Sequence, residues 1–262
     1  MIIGAQLYTV REYTQTAEGL NSALAKVAAA GYRCAQLSGA GPIEPAAVRA
    51  IFDRHGIEII VTHTNPDRIL NETADVINDH RIYGARYIGI GSMPEKYRGS
   101  LEGVKKFVED FRPAAREIRD AGMCLTYHNH SFEFEKSALT KGRHYMDYIL
   151  EGFADDELQI LPDVYWLQYA GCDPAQWLNK AAGRYDLLHY KDMLPSSAQP
   201  QACQLMTEVM DGNLNWDAIF AASEAAGAKY AFVEQDDCNG NDPFECLARS
   251  FENLSKVFGR AK

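Results

Sequence analysis

The chain repeats one punctuation: an Ala-rich amphipathic stretch, then glycine, then a short β-branched or aromatic run. It occurs as "AAAGYRCAQLS" at Gly31, "RHGIEIIVTH" at Gly56, "IYGARYIGIG" at Gly84, "DAGMCLTYHNH" at Gly122, "AAGRYDLLHYKD" at Gly183 and "AAGAKYAFVEQD" at Gly227. Glycine closes a helix because it takes a left-handed conformation without a Cβ clash, and the run that follows has strand length and composition. Each occurrence therefore reads as a junction from helix to strand. Two further strands are expected, in the opening "IIGAQLYTV" and in "ELQILPDVYW" after the acidic loop "FADDE". Between strands lie helical patterns, clearest at Leu101, Val104, Phe107, Val108, Phe111, Ala115 and Ile118, with steps of three and four. Eight strands alternating with helices in 262 residues imply a parallel sheet closed into a (β/α)8 barrel, read as a single domain over 1–262. An open doubly wound sheet binding a dinucleotide would carry G-x-G-x-x-G after its first strand, where this chain has "QLYTVREYTQ"; "GIGS" at 89–92 is too short to serve.

Composition narrows the function. A formal charge of −10 argues against nucleic acid, since phosphate binding needs clustered Lys and Arg. A small-molecule substrate is expected. No apolar run approaches a membrane span and the N-terminus lacks a basic segment before an apolar core, so no membrane partner and a cytoplasmic location are expected. The six cysteines form no CxxC pair, which reads as reduced, mostly buried thiols.

In a (β/α)8 barrel the functional groups gather at the C-terminal strand ends. Those ends carry His63, His128, Asp163, His189 and Glu234, polar groups from five strands meeting at one mouth. The runs before them are apolar, so an ionised carboxylate there has to be paired or metal-bound. An Asp, a His and one or two Glu form a mixed oxygen and nitrogen donor set without thiolate, suited to Mn²⁺, Mg²⁺, Co²⁺ or Zn²⁺. Such an ion would polarise a carbonyl and acidify the adjacent C–H, stabilising an enediolate.

The segments "YHNHSFEF", "DVYWLQYAGCDP", "LHYKDM", "DGNLNW" and "FVEQDD", with "GAQLYTVR" and "VTHTN" before them, resemble the xylose-isomerase-like barrels, which include sugar and sugar-phosphate isomerases, 3-epimerases and inosose dehydratases. The resemblance implies one divalent metal, Mn²⁺ foremost, held by Glu133, Asp163, His189 and Glu234. It implies that Glu234 and Glu133 serve as acid and base, that Lys191 supports an anionic intermediate, and that His128 and His130 bind substrate or shuttle protons. His63, Trp166 and Glu208 are expected to contact substrate. Where epimerases of this family carry a glutamate in the fifth strand this chain has His128, so either Glu133 swings back as fourth ligand or His128 replaces it. The activity implied is isomerisation or epimerisation of a small ketose through an enediolate, with syn dehydration of a keto-polyol or β-elimination at a 3-keto glycoside as the alternative. An abasic-site endonuclease of the same superfamily would need a basic face, and a sugar-binding barrel without chemistry would not need Asp163, His189 and Glu234. The expected partner is a small-molecule sugar or cyclitol, the absence of a glycine-rich phosphate cradle in the sequence favouring an unphosphorylated one over a phosphorylated one, with a homo-oligomer as a further possibility. Glu135 and "FADDE" read as solvated loop charges.

Overall fold

The computed structural model describes residues 1–136, 140–197 and 203–259. Eight strands run parallel: β1 (Ile2–Gln6), β2 (Cys34–Leu37), β3 (Glu58–Thr64), β4 (Tyr87–Ile90), β5 (Cys124–His128), β6 (Leu158–Leu161), β7 (Leu187–Tyr190) and, last in the chain, β10 (Tyr230–Val233). Their order is β6-β5-β4-β3-β2-β1-β10-β7. The two ends meet through a parallel bridge between Asp163 and His189, with the His189 amide donating to Pro162 O at 2.8 Å. The result is a (β/α)8 barrel, and all six glycines of the sequence punctuation have positive φ. The helix Leu101–Asp120 buries Leu101, Val104, Phe107, Val108, Phe111, Ala115 and Ile118, as its period predicts, and Ser100 caps it by accepting from the Gly103 amide. Burial of each large apolar side chain there contributes roughly 1.5–3 kcal/mol.

Three expectations about the chain's course are corrected. The first strand stops at Gln6 and Leu7–Tyr13 winds into a 3-10 turn, stabilised because Gln6 accepts from the Tyr8 amide. The sixth stops at Leu161, since the Asp163 side chain caps the short helix Val164–Tyr169 by accepting from the Trp166 amide. After β7 the chain forms an antiparallel hairpin, β8 (Asp192–Ser196) and β9 (Cys203–Thr207), that the helix and strand alternation does not announce. Glu157 of "FADDE" is not a solvated charge: it is buried, accepts from the Ala154 amide and pairs with Arg116 at 2.6 Å. All six cysteines are free, but only Cys34 and Cys246 are buried. Among the described residues no helix is long and apolar enough to cross a membrane.

The barrel interior explains the placement of the site. Val61, Leu161, Leu187 and Phe232 pack together as one apolar cluster. Because strand side chains alternate, the residues two positions further along face the same way. They are His63, Asp163, His189 and Glu234, so an apolar floor carries a layer of titratable groups at the C-terminal mouth.

Candidate active site

One donor atom from each of His128, Asp163, His189 and Glu234 lies within 4.8 Å of the others, and all four residues are buried. The two histidines are turned the same way. His128 Nδ1 lies 3.0 Å from the Gly91 carbonyl and His189 Nε2 lies 2.6 Å from Gln36 Oε1. Those oxygens only accept, so a ring that donates at its back is, when neutral, left with a lone pair at its front, the form in which an imidazole binds a metal. The fronts face carboxylates: His128 Nε2 is 3.2 Å from Asp163 Oδ2, and His189 Nδ1 is 3.6 Å from the same oxygen and 2.9 Å from Glu234 Oε2. His189 Nδ1 and Glu234 Oε2 are buried without a partner at hydrogen-bonding angles. With the rings neutral and protonated at the back, lone pairs would converge on carboxylates and repel unless a cation lies among them. Without one, burial would lower His189, but Glu234 and Asp163 favour a proton there and raise it above its usual value.

Part of that positive charge is Lys191, fully buried, whose Nζ lies 3.2 Å from Asp163, 2.9 Å from Glu234 and 3.0 Å from Asp236. One ammonium faces three carboxylates. Burial alone would raise Asp163 and Glu234, but Lys191 and the histidines hold both well below the usual carboxylate range. Asp236 is pushed up to about 6 by burial and by the charge of Glu234. The donor set is mixed nitrogen and oxygen, buried and short of positive charge, and therefore fits a borderline or hard divalent ion.

Above the cluster lies a cavity of about 380 Å³ lined by His63, His128, His130, Lys191, Glu234 and Asp236, with Tyr8 and Arg11 at its edge. His130 sits past the strand end, its ring 4.8 Å from His128 and 5.2 Å from Trp166. Burial, then the neighbouring His128 and Lys191, push it down to about 3, so it is neutral. Trp166 backs His130 and lies 5.5 Å from the Lys191 ammonium, outside the residues that line the cavity. His63 Nδ1 meets Ser38 Oγ at 3.1 Å and Gln6 Nε2 at 3.4 Å. Gln6 Oε1 accepts from the Tyr8 amide, which fixes Nε2 as the end facing His63. His63 therefore accepts at Nδ1 and carries its proton on Nε2, a buried atom with no partner.

Besides Trp166, two expected residues lie outside both the donor set and the cavity. Glu133 is held in the 3-10 turn Phe132–Phe134, where its carboxylate accepts from the Tyr127 hydroxyl at 2.5 Å and the His130 amide at 2.9 Å. It is fully buried beneath the strand-end loop, outside the donor set and the cavity, and His128 occupies the fourth place instead. Burial pushes it up to about 7. Glu208 accepts from Thr207 Oγ1 at 3.0 Å on the loop after β9 and does not line the cavity. Sequence reasoning missed Gln36, Asn129, Asp236 and Gly91. Asn129 Oδ1 accepts from the Asp163 amide at 2.9 Å and sets that residue's position. A polar side chain inside an otherwise apolar strand run was the available signal for Gln36.

A family model described as Xylose isomerase-like TIM barrel matches residues 24–257. The chain belongs to that family. Solved structures agree in fold. A sugar phosphate isomerase/epimerase from Parabacteroides distasonis ATCC 8503 is 22% identical, with a TM-score of 0.82 over 99% of this chain and 95% of that one. An L-ribulose 3-epimerase is 16% identical, TM-score 0.73, covering 99% and 96%. A probable 3-DHS dehydratase of petrobactin synthesis from Bacillus anthracis is 11% identical, TM-score 0.73, covering 97% and 99%. No functionally curated protein matches significantly. Within the Xylose isomerase-like TIM barrel family, identities this low speak for the shared barrel.

Proposed function

We propose that the protein is a divalent-metal-dependent sugar isomerase or epimerase acting on a small ketose or related polyhydroxy carbonyl compound. The observation that carries this is the pair of histidines, His128 and His189, each hydrogen-bonded at its back and aimed at Asp163 and Glu234 in a buried site. His128, Asp163, His189 and Glu234 are the proposed ligands, with Mn²⁺ foremost and Mg²⁺, Co²⁺ or Zn²⁺ as alternatives. The bound ion would polarise a carbonyl and its neighbouring hydroxyl and so acidify the C–H between them. Glu234, whose carboxylate lines the cavity, takes that proton and returns it at the same or the neighbouring carbon. Lys191 balances the charge of the enediolate. His63 and His130 hold substrate hydroxyls, His63 by donating from Nε2.

A second reading has one observation in its favour. His128 stands where a second carboxylate would serve a two-base epimerase, leaving Glu234 as the carboxylate base and His63 Nε2–H as an unpartnered hydrogen-bond donor. One base suffices for syn elimination: the proton that Glu234 takes from carbon is delivered to the departing oxygen, held by the His63 N–H, instead of being returned to carbon.

The test is proton exchange. Metal-loaded protein incubated with ketoses, inososes and 3-keto glycosides in D₂O is expected to place deuterium at the carbon next to the carbonyl, and Glu234→Gln to slow this by about 10²–10⁴-fold. Exchange that survives Glu234→Gln, or is absent for every compound, would overturn the reading.

A further inference from the structure

Beside the barrel mouth a second cavity of about 240 Å³ opens between the ends of β2 and β3 and the helices behind them, and Ser38 and His63 line both it and the central cavity. Its polar side is organised. His80 Nδ1 lies 2.7 Å from the Val76 carbonyl and must donate to it, so the neutral ring accepts at Nε2 from Thr62 Oγ1, 2.8 Å away. Thr62 has then used its proton, and the hydroxyl of Thr64, 2.7 Å away, donates to it. The chain runs one way, Thr64 to Thr62 to His80 to Val76, and leaves Thr64 Oγ1 with acceptor capacity only, strengthened by the bonds behind it. Burial pushes His80 down to about 4, which agrees with a neutral ring.

The same cavity has apolar lining from Leu37, Ile43 and Val48. Its charged pair is internally compensated, since Arg68 meets Asp79 at 3.2 Å and Glu72 at 2.9 Å. The lining segment 39–43 is tied to the chain before the first α-helix. The Gly41 amide donates to Thr14 O at 3.1 Å, and a Cβ on Gly41 would stand 2.1 Å from Gln15 O.

Apolar lining beside an acceptor, with an unpartnered donor on His63 at the junction and the charged pair compensated, matches a neutral ring carrying hydroxyls. We infer that this outer cavity is a second subsite, and that the substrate is a two-unit compound, a glycoside-like molecule whose reacting unit occupies the central cavity and whose second ring occupies the outer one. The inference rests on the sugar reading proposed above and specifies its substrate class.

Calorimetric titration of Mn²⁺-loaded protein with glucose, fructose, methyl β-glucoside, cellobiose, maltose, sucrose and the ketose-ended disaccharides lactulose and isomaltulose tests it. At least one disaccharide is expected to bind about ten-fold more tightly than glucose, and Thr64→Val, which removes the acceptor, to take away most of that preference. Ala40→Trp, which fills the outer space from a different segment, is expected to do the same, with thermal unfolding confirming that both variants are folded. Equal affinity for one-ring and two-ring sugars, or a preference that survives both substitutions, would overturn the second subsite while leaving the sugar reading intact. Absence of binding by every sugar would remove the sugar reading, and this inference with it.

Discussion

The imidazole of His63 occupies the space that a side chain on Gly91 would need: a Cβ there would lie 2.9 Å from both Cγ and Nδ1 of the ring. Gly91 also supplies the carbonyl that orients His128. One glycine thus sets two of the histidines that line the cavity. Gly91→Ala is expected to push the His63 ring aside at a cost of roughly 1–3 kcal/mol in stability and to lower turnover with metal still bound. Thermal unfolding and metal content of the variant check this; unchanged turnover would show that His63 is not positioned for function.

The four-residue donor set makes a prediction that separates His128 from Glu133. His128→Ala and Asp163→Asn should each reduce bound metal from about one equivalent toward none, because each removes a ligand atom from a set that needs three or four. Glu133→Ala should keep the metal and lose stability instead, since it strands the buried Tyr127 hydroxyl and His130 amide, at roughly 1–3 kcal/mol for each unsatisfied group. Elemental analysis after dialysis decides. Metal lost in Glu133→Ala but retained in His128→Ala would reverse the proposed ligand set.

Why His63, Asp163, His189 and Glu234 were legible in the sequence, and Glu133 and Glu208 were not, follows from how each is held. The first four continue the inward-facing alternation two residues past Val61, Leu161, Leu187 and Phe232, so a period of two and an apolar floor suffice to place them. Glu133 lies five residues past the strand end, on a turn whose direction is decided by the Tyr127 hydroxyl and the His130 amide. Those partners form only in the folded chain, and the carboxylate follows them downward. Glu208 follows the β8–β9 hairpin, whose register is set by contacts outside the repeating pattern. The barrel itself was legible because glycine at a helix end is a local requirement, satisfied at each junction independently of the others.

Buried titratable groups away from the donor set predict opposing pH effects. His80 is lowered to about 4 in the folded chain against about 6.5 unfolded. The folded state therefore binds fewer protons, and stability present above pH 6.5 is lost as pH falls toward 4, by up to roughly 3 kcal/mol. Glu133 is raised to about 7 from about 4.3 unfolded. It works the other way: its contribution is present below pH 4.3 and lost as pH rises through 7. In the wild type the two slopes offset each other between about pH 4.5 and 6.5. His80→Gln should uncover falling stability with rising pH, and Glu133→Gln the reverse, read by chemical unfolding across that window under one metal condition. Parallel curves for wild type and both variants would contradict the assignment.

The hairpin that the sequence did not announce depends on one carboxylate. Asp192 is fully buried at the start of β8 and accepts from the amides of Met193 at 2.8 Å, Met210 at 2.9 Å, Gly212 at 3.0 Å and Leu214 at 3.3 Å, and from the Trp216 indole at 2.6 Å. Five donors from the hairpin and from the loop leading to the helix Trp216–Ala225 thus meet one negative charge, adjacent in sequence to Lys191. Asn at this position has a single acceptor oxygen and an amide group that faces donors. Asp192→Asn is therefore expected to cost roughly 2–4 kcal/mol in stability. Because the backbone that carries Lys191 runs directly into this knot, turnover should fall further than the unfolded fraction explains. Turnover per folded molecule, measured well below the midpoint of unfolding, distinguishes a positioning effect from simple loss of protein: equal specific activity in wild type and variant would confine Asp192 to stability.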